Sequence, residues 1–322
     1  MLNKTIWLLW LQGWDTAPWL VKQVAESWEI NNPDWNIEYV TLDNLHNYVH
    51  DIDYIYDKTK EIEAPAKSDI IRLSLLKNYG GVWADATILC MQPLGTWAQE
   101  VVKCAGLWMY HGNGGGMDTK NGPASWFIIS EKDSLIINKW KNACDQYWQN
   151  RINADNYFWL DGLFRKLFES DLEFKNRWDC APHLYCESKG QAHSLYYRIG
   201  SANWLSLISL NTPKLKKIFL EKPPYILKLS WKECPENFPE IDIDAFKNSN
   251  CYYAVQMSKR KFVFTHKMLS KHSIFFRAQM LIVKILFAFR KFFYAVFQFP
   301  QSLWRLVKQV IRKVKIIFFS KL

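Results

Sequence analysis

The sequence predicts an α/β domain with a mostly parallel central sheet, followed by C-terminal amphipathic helices. Three observations predict it. Through the first 90 residues, short apolar runs alternate with helix-length amphipathic segments, the order of elements that builds a parallel sheet. A Gly80-Gly81 pair separates the longest such helix from a short apolar run that ends on Asp85. Beyond Asp244 there is no further acidic residue, and the chain becomes basic and amphipathic.

The elements follow in order. Thr5–Leu11 is an apolar run of strand length. Thr16 is placed to cap a helix over Ala17–Asn31, with Pro18 in its first turn and Pro33 beyond its end. Trp35–Leu42 alternates like a strand, and Leu42–Tyr56 reads as short helices. Pro65 and Ser68 open a helix carrying Ile70, Ile71, Leu73, Leu75 and Leu76, closed by Gly80-Gly81. Val82–Asp85 and Thr87–Met91 are short strands. Ala105–Tyr110 and Trp126–Ser130 read as strands around a Gly-rich loop, Gly112–Gly116. Ser134–Asn150 and Asp155–Glu169 read as helices, and Pro224–Leu229 as a late strand.

At 322 residues and 49% apolar composition, the chain suffices for one sizeable domain with an appendage. The boundary falls between a domain over 1–272 and helices over 273–322. The net charge of +10 is unevenly spread: 16 of the 41 Lys and Arg lie beyond Asp244, leaving 25 basic against 31 acidic residues before it. A mildly acidic body thus carries a basic tail, which suits an anionic membrane or a nucleic acid. The seven Cys form no CxxC, so reduced thiols are expected rather than a disulfide framework or zinc cluster. Lys4 precedes too short an apolar run for a signal peptide, and no apolar stretch approaches the roughly 20 residues a spanning helix needs. The 17 Trp suit either core packing or ring stacking on sugars and bases.

The stretch Ser68-Asp69-Ile70-Ile71-Arg72, then Gly80-Gly81-Val82-Trp83-Ala84-Asp85-Ala86-Thr87, carries the chemistry. Asp69 and Arg72 share one helix face at i,i+3, and Asp85 ends the next strand. In an open α/β sheet, ligands bind beyond the carboxyl ends of the strands. Two carboxylates and a guanidinium converging there suit a diphosphate ester with a sugar: Arg holds phosphate or hydroxyls, and a carboxylate holds hydroxyls or a divalent metal. The spacing is equally compatible with a surface ion pair and a solvated Asp85.

"SDIIRLSLLKNYGGVWADATI" closely resembles the core of bacterial capsular polysaccharide synthesis proteins. It is similar, more distantly, to initiating mannosyltransferases and to clostridial glucosylating toxins. The resemblance, which extends from about residue 4 to 232, implies a GT-A (Rossmann-like) nucleotide-sugar-binding domain. It implies that Asp69 and Arg72 grip the donor's sugar and ribose, that Trp10 stacks on its base, and that Asp85 and Thr87 stand at the two Asp positions of a DxD-like motif. Thr87 departs from that motif with a neutral hydroxyl, which leaves the metal site open to help from elsewhere. His266 in "FVFTHKM" is a candidate metal ligand, with a surface His as the alternative. Lys228 and Lys232 in "YILKLSWK" are candidates for the diphosphate. Asp161 in "YFWLDGLF" lies on an apolar helix, facing the acceptor or the reacting sugar, or filling a buried hydrogen-bonding role. His111 and the loop after it are placed to form either a lid over the donor or a plain hairpin.

The resemblance further implies a metal-dependent hexosyltransferase using Mn²⁺ or Mg²⁺ and a nucleotide-diphosphate sugar, UDP favoured. The product expected is a lipid-linked capsular or surface glycan, formed with retention and without an assigned general base. The alternatives are a degenerate transferase that binds nucleotide sugar or glycan without turnover, and a toxin-like enzyme acting on a host protein.

The tail reads as two basic amphipathic helices broken at Pro300. Arg277, Lys284 and Lys291 recur every seven residues around Leu281, Ile282, Ile285, Leu286 and Phe289. Arg305, Lys308, Arg312 and Lys315 stripe the second helix. Cationic and apolar faces together fit a helix lying in an anionic membrane interface, or one packed on the body or a second subunit, and do not favour nucleic acid. The expected setting is the cytoplasmic, inner face of a bacterial plasma membrane.

Overall fold

In a computed structural model, residues 2–112, 122–184, 224–229, 254–255 and 257–259 are described below. Lys232, His266, the tail 273–322 and most of the loop Gly112–Gly116 lie outside these residues.

Five strands form one sheet in the order β2-β1-β3-β6-β5: β1 Thr5–Leu9, β2 Asn36–Val40, β3 Gly81–Asp85, β5 Leu107–His111 and β6 Pro123–Ser130. β1 pairs in parallel with both β2 and β3. β6 pairs antiparallel with β3 and with β5, so β6 alone runs against the other four. The sheet is therefore mixed but mostly parallel, and the α/β class holds. β1 is buried on both faces, as is β3 up to Asp85, which explains their unbroken apolar runs.

Helix α1 (Trp19–Asn31) starts later than the capping pattern predicts. Pro18 occupies the position before it, and the Thr16 hydroxyl donates instead to the Gly13 carbonyl at 2.9 Å. Helix α2 (Ala64–Tyr79) has Pro65 in its first turn, where a missing N–H costs nothing. Its Ile70, Ile71, Leu73, Leu75 and Leu76 are fully buried, each stabilising the fold by about 1.5–3 kcal/mol. Gly80 and Gly81, at φ 69° and 95°, end it and launch β3. A Cβ on Gly81 would stand 2.4 Å from the Thr5 carbonyl oxygen, so only glycine lets β3 enter beside β1. The Trp7 indole closes this corner by donating to the Gly80 carbonyl at 2.9 Å.

The predicted short helices after β2 are two 3₁₀ turns, Leu45–Asn47 and Asp53–Tyr56. Strand β4 (Ile88–Cys90) pairs antiparallel with β7 (Ile226–Lys228), bringing a late segment back to the end of β3. Helix α3 (Ala98–Val102) is short and precedes β5. Helices α4 (Leu135–Gln149), α5 (Trp159–Ser170) and α6 (Leu172–Asp179) pack on one another, and α4 packs on α2. α5 begins four residues after the predicted Asp155. The intervening chain turns at Asn156, whose side chain accepts from the Phe158 N–H at 2.8 Å. α3 and α6 have no counterpart in the sequence reading.

Two further expectations are corrected. Cys104 and Cys180, 76 residues apart with Cα atoms 5.9 Å from each other, form a disulfide, so the thiols are not all reduced. Cys90 and Cys144 are buried free thiols. His111 does not sit on a lid: it is 0% exposed, stacked against Trp178 at 4.1 Å and against His183 at 4.2 Å.

Candidate active site

Asp85 is the last residue of β3, where the sheet opens. Alternation along the strand puts Trp83 on the same face. The Trp83 indole N–H donates to Asp85 Oδ1 at 3.0 Å. Arg72 on α2 reaches the same oxygen: its Nη2 lies 3.2 Å from Asp85 Oδ1 and 3.1 Å from Asp69 Oδ1. Nη1 donates to the Ser125 carbonyl at 2.7 Å, and the guanidinium lies over the Trp83 ring at 5.2 Å. Arg72 is thus anchored at 5% exposure, held in place from α2, β3 and β6. A planar cation with fixed donors fits such a fork, and a lysine would not reproduce it.

Lys228, at the end of β7, brings a second cation. Its Nζ lies 3.4 Å from Asp85 Oδ2 and 5.3 Å from the centre of the Trp126 ring. Burial lowers its pKa, while Asp85 opposes that shift. Asp69 shifts the other way: burial raises its pKa to about 7 against the pull of Arg72, with Asp85 and Asp161 adding to the rise. Asp161, in the first turn of α5 and 6% exposed, therefore stands in the same electrostatic cluster. Three carboxyls and two cations meet at the carboxyl end of β3, where an open α/β sheet binds its ligand.

A family model described as "Capsular polysaccharide synthesis protein" matches residues 1–202. The chain belongs to that family. The match includes Asp69, Arg72, Asp85 and Asp161 of this capsular polysaccharide synthesis family member, and ends before Lys228. No curated protein gives a significant match. A solved structure titled "PaToxG Glycosyltransferase" is similar, with a TM-score of 0.37 and 14% identity over 79% of this chain and 87% of that one.

In this family member, most of the residues singled out from sequence meet. Leu9 of β1 is the register partner of Asp85, so Trp10 stands beside Ala86. Trp10 is half-buried against a small cluster of Ala17, Val21 and Ala86. Thr87 lies in the turn after β3, half-buried, and its carbonyl accepts from the Leu229 N–H at 2.8 Å. That bond fixes β7, and with it Lys228, against the site. Lys232 and His266 lie outside the described residues, and among those residues no group of three or more His, Cys, Asp or Glu is placed to hold a metal. Among the described residues, Asp85 Oδ1 is held by Arg72 and Trp83, Oδ2 lies 3.4 Å from Lys228, and the side chain is 26% exposed.

Sequence reasoning missed Trp83 and Ser125. Trp83 had a signal, since it lies two residues before Asp85 in a strand. Ser125 had none, because it contributes only its carbonyl.

Proposed function

We propose that this protein is a GT-A type glycosyltransferase that moves a hexose or N-acetylhexosamine from a nucleotide-diphosphate sugar, UDP favoured, to a lipid-linked capsular or surface glycan intermediate. The observation that carries this reading is the anchoring of Arg72 between Asp69 and Asp85, with Lys228 on the other Asp85 oxygen. A departing diphosphate gains negative charge, and Arg72 and Lys228 are positioned cations that meet it without reorganising. Trp10 offers a flat partner for the base at the end of β1. Asp69 and Asp161 offer oxygens to sugar and ribose hydroxyls.

Asp85 and Thr87 are the residues proposed to hold Mn²⁺ or Mg²⁺, with His266 a further candidate. Mg²⁺ is commonly bound by one or two carboxylates together with substrate phosphates and waters. When bound, such an ion neutralises the leaving diphosphate. The protein's own part is to orient the donor and to hold Asp85 beside two cations. No side chain is assigned as general base; the leaving phosphate takes the acceptor's proton, which fits transfer with retention. The basic amphipathic stretch 273–322 is proposed to bind an anionic membrane surface from the cytoplasmic side. Among the described residues no helix is long and apolar enough to cross a membrane.

The test is a donor screen. Purified protein is given UDP- and GDP-sugars with Mn²⁺ or Mg²⁺, then with chelator, and release of nucleotide diphosphate is followed. Metal-dependent release from one donor is expected. A second reading, a degenerate transferase, draws on the neutral Thr87. Donor binding without release at any metal concentration, with glycan acceptors supplied, would establish it instead.

A further inference from the structure

The loop between α4 and α5 carries three exposed apolar side chains within seven residues: Ile152 at 60%, Tyr157 at 73% and Phe158 at 39%. Isolated exposed apolar residues need no explanation, but a cluster beside a polar site does. This cluster borders the site. Phe158 precedes the first residue of α5, and Asp161 lies in that helix's first turn. Partial burial raises the pKa of the Tyr157 hydroxyl, with Asp85, Asp69 and Asp161 adding to the rise and Arg72 opposing it. The tyrosine ring packs edge-on against Phe158, with centroids 5.1 Å apart and planes at 86°. Most of the Tyr157 side chain is left to solvent.

The sheet order decides which substrate meets that ring. Trp10 follows β1, on one side of β3. α5 packs on β6, which pairs with β3 on its other side. The chain carrying Trp10 and the loop leading into α5 thus approach β3 through its two different neighbours, β1 and β6, so a donor whose base lies on Trp10 leaves the α5 side to the second substrate. A pyranose has an apolar C–H face and a rim of hydroxyls. An exposed tyrosine beside a group of carboxyls matches both at low entropic cost, since the ring has only two torsions to fix.

We propose that Tyr157 is the acceptor platform of this site, stacking on the apolar face of the acceptor's sugar ring. This inference rests on the transferase reading for its assignment to the acceptor, but its test does not need turnover. Saturation-transfer NMR is run on the full chain without donor, using methyl glycosides of glucose, galactose and N-acetylglucosamine as probes. Saturation should reach the ring C–H protons of at least one of them. Tyr157→Ala should weaken that glycoside by about tenfold, the scale of one aromatic contact, and Tyr157→Phe should restore it. Tyr157→Gln is the second variant if the alanine form does not fold. Binding of no glycoside to the wild type, or binding equal in wild type and Tyr157→Ala, would overturn the proposal. Glycoside binding through Tyr157 in a protein that releases nucleotide from no donor would sink the transferase reading and leave the sugar platform standing.

Discussion

Trp83 and Asp85 lie two positions apart on one face of β3, and the Trp83 indole N–H donates to Asp85 Oδ1 at 3.0 Å. That bond, together with Arg72 on the same oxygen, directs the other carboxylate oxygen outward to Lys228 and the open end of the sheet. Trp83→Phe removes the donor and leaves a small cavity where the rest of the indole packed. It should lower donor turnover by about tenfold, the scale of one hydrogen bond to a charged group, together with a lower melting temperature from the lost packing. Initial rates of nucleotide release at saturating metal check this.

Asp85→Asn is nearly isosteric but removes the charge. Nucleotide release should fall by at least about a hundredfold, the scale of losing one preorganised electrostatic group. Circular dichroism should show the fold intact, because Arg72 keeps its partners Asp69 and Ser125. Full activity in a folded Asp85→Asn protein would remove Asp85 from the site.

Arg72→Ala should be costly in a different way. It leaves Asp69 and Asp85 facing each other without the cation between them, and breaking a buried pair in this manner costs about 3–5 kcal/mol. Urea denaturation should therefore show a lower midpoint than for Asp85→Asn, together with lost activity.

His111 makes stability depend on pH. Burial, aided by the neighbouring His183, lowers its pKa to about 3, although Asp179 pulls upward. The unfolded chain takes up this proton near the ordinary histidine value of about 6.5, whereas the folded one does not until about pH 3. The unfolded state thus binds more protons within that window, and stability falls as pH drops from about 6.5 toward 3. His111→Phe preserves the stack on Trp178 and should flatten this part of the curve, read as urea midpoints at pH 7, 6, 5 and 4.

The Cys104–Cys180 bond ties the chain before β5 to the end of α6. Its reduction should cost about 2–4 kcal/mol, mainly by freeing the unfolded chain. The core shared by α2, α4, α5 and the sheet contains neither cysteine, so the reduced protein should remain folded. Urea midpoints with and without dithiothreitol, compared with Cys104→Ser, test both statements.

Much of the site was legible in the sequence because it is built from near neighbours. Asp69 and Arg72 are one helical turn apart, and glycines at 80 and 81 oblige the chain to reverse into a strand ending on Asp85. Backbone sterics dictate that turn locally: a side chain at 81 would strike Thr5, and both glycines need positive φ. The apolar runs of β1 and β3 likewise declared strands buried on both faces.

Other features came from contacts between distant segments, which local pattern does not encode. The reversed direction of β6 shows only in its antiparallel pairing with β3 and β5, and pairing direction leaves no mark on an apolar run. Lys228 reaches Asp85 only because β7 pairs with β4, 143 residues after Asp85. His111 resembles a loop residue in sequence and becomes core because Trp178 of α6 stacks on it. Cys104 and Cys180 were two of seven thiols until folding brought their Cα atoms to 5.9 Å. The sequence by itself determined the α/β class, the helix–turn–strand unit and the charged residues on it, since those depend on short-range sterics and periodicity. Only the tertiary structure decided the mixed sheet, the second cation, the buried histidine and the disulfide, since each depends on burial and pairing between residues far apart in the chain.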